Sequence, residues 1–160
     1  MNPGRSIRLF LVDGTPNGLL TAEIMNWTGH VLTGPRSKLA ELVQRPECGR
    51  TGVYFLVGPD PDDSLRTRVY IGESDDVAQR LKTHNRPEEA GGKDFWERVC
   101  LVTSKDQNLT KAHVKYLESK LIGIAEVVLF GGNILLLFFL LFESYLNIPV
   151  WIQPLGRLHP

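Results

Sequence analysis

The sequence predicts an α+β domain, a small β-β-α-β-α sandwich with helices on a short, mostly antiparallel sheet. Three observations lead there. Apolar runs rich in β-branched and aromatic residues, TGVYFLVG (51–58), RTRVYIG (66–72) and FWERVCLVTS (95–104), are bounded by Pro, Asp and Gly. Two further stretches carry apolar residues at helical spacing. A length of 160 residues with 42% hydrophobic composition suits one domain with a real core.

IRLFLVDG (7–14) alternates loosely and ends in Asp-Gly, which predicts a strand and a turn. PRSKLAELVQR (35–45) starts with Pro, sets Leu39, Leu42 and Val43 on one side and meets Pro46, which predicts a short amphipathic helix. These two elements make an N-terminal extension over residues 1–50. The runs at 51–58 and 66–72 flank PDPDDSL (59–65), a turn-rich linker, and so form an antiparallel hairpin. Ser74 is the expected cap of a helix reaching about His84, with Asp75 and Asp76 at the positive end of its dipole. NRPEEAGGKD (85–94) breaks that helix, and 95–104 supplies a third strand. Thr110 caps a second helix, KAHVKYLESKLIGIA, whose Val114, Leu117, Leu121 and Ile124 form one stripe.

Charge narrows the partners. Lys and Arg number 18 against 18 Asp and Glu, so nothing draws the whole chain to nucleic acid. DNA contact has to come from a local patch, for which Lys82, Arg86, Lys111 and Lys115 are the candidates. Two cysteines, Cys48 and Cys100, and no N-terminal signal peptide predict reduced thiols and a cytoplasmic location. No pair of ligands has zinc spacing. The hydrophobic C-terminal segment, residues 123–160, is different in kind. Its run VVLFGGNILLLFFLLF (127–142) is uncharged, with Asn133 its one polar residue. A membrane span takes about 20 apolar residues. Residues 124–142 therefore read as a marginal membrane anchor, which would make the protein membrane-associated. They read equally as a buried terminal segment or as a terminus altered by a change of reading frame.

Several residues stand out chemically. Arg80 and His84 are one turn apart on the first helix, with Val77 on the same face. The plain reading is a guanidinium lying over Val77 and a solvated histidine at the helix end. The sharper one is a phosphate-binding face. Glu118 sits inside the apolar stripe of the second helix, where a carboxylate is costly without a partner. Tyr54 and Tyr70 lie on neighbouring strands, each with a glycine two positions away, Gly52 and Gly72. Cross-strand packing explains such a pair by itself.

GVY at 52–54 and YIG at 70–72 resemble the two halves of the signature of the GIY-YIG nuclease family, with Val53 in place of isoleucine. Arg80 follows the second tyrosine at the family's spacing, His84 comes one turn later, and KYLESKLI places Glu118 as the family's acid. The resemblance covers residues 51–122, and the segment around NWTG in 1–50 is similar to an extension seen in some bacterial members. It implies an endonuclease that hydrolyses DNA phosphodiester bonds with a single divalent ion, Mg²⁺ or Mn²⁺, held by Glu118. It assigns phosphate contact to Arg80, proton acceptance from the attacking water to Tyr54, and positioning to Tyr70 and His84. Gly52, Gly72, Lys82, Lys111 and Lys115 would line the DNA path. Asn133 stands where the family's asparagine completes the site, but in apolar surroundings that depart from the family pattern. That departure leaves a second expectation open, a non-catalytic nucleic-acid or protein-interaction module on the same fold.

Overall fold

The computed structural model describes residues 6–106 and 109–128, with Lys120 and residues 123–128 described as backbone alone. It is a six-stranded sheet with three helices. The chain runs β1 (Ile7–Leu11), β2 (Leu20–Ile24), β3 (Gly29–Pro35), α1 (Leu39–Leu42), β4 (Gly52–Pro59), β5 (Thr67–Ser74), α2 (Val77–His84), β6 (Arg98–Ser104) and α3 (Lys111–Val128). In space the strand order is β1-β2-β3-β6-β4-β5, and every pairing is antiparallel.

The hairpin, the third strand and both longer helices stand where the sequence puts them. Two strands were not expected. β2 and β3 occupy the stretch between the predicted strand and the predicted helix, joined by a turn in which Asn26 takes a φ of 63°. Asparagine is among the few residues that tolerate this left-handed conformation. β3 pairs with β6 from Gly29↔Ser104 to Pro35↔Arg98. One continuous sheet therefore runs through both the first fifty residues and the hairpin. β6 begins at Arg98 rather than at residue 95, because Trp96 leaves the strand to fill the core at 1% exposure.

Alternation along β4 divides the core. Val53, Phe55 and Val57 point to one face, where Val114, Leu117 and Leu121 of α3 cover them together with Val31, Ile71 and Cys100. Tyr54 and Leu56 point to the other, against Val77 and Leu81 of α2, Leu39 and Leu42 of α1, and Trp96. Truncating a fully buried leucine such as Leu81 costs about 2–5 kcal/mol, so α2 is fixed firmly by two side chains one turn apart. Both cysteines are buried and free, and burial pushes each thiol up to about 12. They stay protonated at neutral pH, unsuited to a thiolate's work.

Among the described residues no helix is long and apolar enough to cross a membrane. The expected anchor falls outside the described residues from position 129 onward, as does Asn133.

Candidate functional site

The site grows from the β5–α2 junction. Ser74 is the last residue of β5 and does not cap α2. Its hydroxyl accepts from the Asp76 amide at 3.1 Å, and the true cap is Asp76, whose carboxylate accepts from the Gln79 amide at 3.0 Å. The reversal lets α2 fold back over the sheet face that carries Tyr54. Gly72 makes the fit. A methyl group at that position would lie 2.5 Å from the Tyr54 hydroxyl and 3.0 Å from the Tyr70 ring. The glycine is thus a gap through which the Tyr54 phenol reaches α2. Gly52 has a different reason, since a Cβ there would press on the Val102 carbonyl at 2.7 Å.

Four of the expected residues come together here. The Tyr54 hydroxyl lies 2.8 Å from His84 Nε2. The rings of Tyr54, Tyr70 and His84 form a triangle with centroid separations of 6.3, 5.6 and 5.3 Å. Arg80 is exposed on the same helix, and interaction with Tyr54 first, and with Tyr70 after it, raises its pKa. Tyr54 itself is wholly buried. Burial raises its pKa, the neighbouring Tyr70 adds to the rise, and Arg80 opposes it. Burial also lowers the pKa of His84 to about 4, helped by the charges of Arg80 and Lys93. At neutral pH the cluster is therefore two phenols and an uncharged imidazole under two cations. His84 Nδ1 is buried without a partner among the described atoms.

Sequence reasoning missed Lys93. Its ammonium sits over the Tyr70 ring, 4.3 Å from the centroid, a cation–π contact. Nothing in its spacing marks it, because a loop delivers it. The Lys93 amide bonds the His84 carbonyl at 2.9 Å, and Arg36 clamps the same loop from β3's end, bonding Asn85 Oδ1 at 2.9 Å and the Asp94 carbonyl at 3.0 Å. Residues of the N-terminal extension thus hold part of this site.

Glu118 stands apart from the phenols. Its helix covers the opposite face of the sheet, and its charged neighbours are Glu73 and Lys115. Burial raises its pKa, Glu73 raises it further and Lys115 lowers it. Glu73 Oε2 is buried with no hydrogen-bond partner among the described atoms. An orphaned carboxylate oxygen beside a second acid is a donor set that suits Mg²⁺ or Mn²⁺. Among the described residues no three His, Cys, Asp or Glu side chains converge, so such an ion would rest on these two acids and water. The two groups meet at β5, the outer strand, which turns Tyr70 and Gly72 to one face and Glu73 to the other.

The candidate DNA contacts do not form one patch. Lys82 and Arg86 are exposed at the end of α2, whereas Lys111 and Lys115 lie on α3 across the sheet, with Lys111 paired to Asp75 at 3.3 Å. No family model, curated protein or solved structure matches the chain.

Proposed function

We propose that the protein is a divalent-metal-dependent endonuclease acting on DNA phosphodiester bonds at the Tyr54–Tyr70–His84–Arg80 cluster. One observation carries this reading: a buried phenol bonded to an uncharged imidazole, with Arg80 one turn before that imidazole on the same helix. Such a set can grip a phosphate and move a proton without ionising first. Arg80 and Lys93 bind the phosphoryl oxygens. Tyr70, the phenol that is half exposed, orients the attacking water and takes its proton. The Tyr54–His84 hydrogen bond behind it holds the buried phenol in place. Glu118 and Glu73, on the other face of β5, would hold the Mg²⁺ or Mn²⁺, which would offset phosphate charge where the substrate crosses that outer strand.

Nicking of supercoiled plasmid in Mg²⁺ or Mn²⁺ tests the reading. Tyr54→Phe and Arg80→Ala should each lower the rate about 10²-fold or more, and Glu118→Ala should abolish the metal-dependent nicking. Equal nicking by wild type and all three variants would overturn it. The separation of Glu118 from the phenols favours a second reading, a module that binds a phosphodiester without cutting it. DNA binding that needs Arg80, with no metal-dependent cleavage by the wild type, would establish that instead.

A further inference from the structure

At the far end of the sheet from the phenols, β1 has no outer neighbour among the described residues. All five of its residues are exposed, and four of them are apolar. Ile7, Leu9 and Phe10 stand at 64, 61 and 60% exposure, values at odds with a strand meant to face water. Outer strands are normally blunted by charge, proline or a bulge, and β1 carries a single arginine.

The ladder to β2 shows which backbone groups remain open. The Val12 amide bonds the Leu19 carbonyl, and the Met25 amide bonds the Ser6 carbonyl. With Leu11 opposite Leu20 and Ile7 opposite Ile24, positions 6 and 12 are both hydrogen-bonded to β2. Hydrogen-bonded pairs alternate along an antiparallel ladder, so Arg8 and Phe10 also turn inward. Ile7, Leu9 and Leu11 turn their N–H and C=O groups outward. Those three positions are symmetric about Leu9.

We infer that β1 is a two-fold interface through which a second copy of this chain pairs, antiparallel, with Leu9 opposite the partner's Leu9. That register sets Ile7 against the partner's Leu11, and all three outward positions fall in hydrogen-bonded pairs. The aliphatic side chains of these residues lie on the Ala22 face, which packs against the α3-side core, so the two copies extend each other's apolar layer. On the opposite face Arg8 meets the partner's Phe10, a cation over a ring, repeated by symmetry. A strand whose open amides, apolar side chains and lone charge all match their own inverted copy selects itself as occupant.

Sedimentation of the full chain over a dilution series should show a dimer that dissociates on dilution. Leu9→Pro removes an outward amide and leaves the β2 ladder intact, so the variant should sediment as a monomer with an unchanged circular dichroism spectrum. Register gives a second readout. Opposed positions in a hydrogen-bonded pair lie about 5.5 Å apart at Cα, within disulfide reach, whereas the two copies of position 10 would be about 8 Å apart on the diagonal. Leu9→Cys should therefore cross-link under mild oxidation and Phe10→Cys should not. A wild type that stays monomeric, a dimer that survives Leu9→Pro, or equal cross-linking at positions 9 and 10 would overturn the inference.

Discussion

His84 is the residue on which the chemistry of the cluster turns, and its protonation is linked to folding. In the unfolded chain the imidazole gains its proton near pH 6.5, whereas in the fold it does so only near 4, because burial and then Arg80 and Lys93 oppose the charge. Between those values the unfolded state binds more protons, so stability falls as pH drops from about 6.5 to about 4 and this contribution levels off below. Other acids contribute in the same window, Glu47 with the same sign and Glu118 with the opposite one. They remain in a His84→Asn variant and cancel in the comparison. Urea unfolding at pH 7 and pH 4.5 should show the wild type losing more stability than His84→Asn; equal losses would mean the imidazole is not held neutral. At this scale the sequence was readable where spacing carried the information. Arg80 and His84 share a face because four residues of helix put them there. Lys93 was not readable, since its place over Tyr70 depends on the path of a loop.

The loop from Asn85 to Trp96 is the element that joins the two halves of the chain. Arg36 holds it by hydrogen bonds to Asn85 and Asp94 and lies 4.7 Å over the Trp96 ring. The Trp96 indole in turn reaches the His84 carbonyl at 3.4 Å. Arg36→Met keeps some of the packing on the indole and removes the charge-assisted bonds, each worth about 1.5–3 kcal/mol at most. The variant should show faster amide exchange across 85–95, with little change in β4 and β5. Uniform exchange rates in the two proteins would show that the loop holds itself. Local signals misplaced one boundary here. Serine is a good cap, but Asp76 wins because Ser74 is still committed to β5 opposite Gly52. Capping preference describes isolated helix ends, and strand pairing overrode it.

Across the whole molecule the division between legible and illegible follows the range of the interactions. β4, β5, α2, β6 and α3 each carry their own periodicity and turn residues, and each was predicted. β2 is a short, mixed run and β3 carries two glycines and a proline, and they exist as strands because β6 offers β3 a partner along its length. A domain boundary near residue 50 is what the sequence suggests, yet β6 stands between β3 and β4. Leu19, Leu32, Leu39 and Leu42 fill the α2-side core, and Val31 fills the α3-side core. Expressing residues 51–128 alone would strip a strand from β6, open both cores and leave Trp96 without Arg36. The fragment should lack a cooperative thermal transition and be cut rapidly by protease, because losing several buried leucines costs more than the roughly 5–15 kcal/mol that holds a typical domain together. A sharp melt with protection matching the full chain would instead show that residues 51–128 fold by themselves, and that the first fifty residues serve the site without building it.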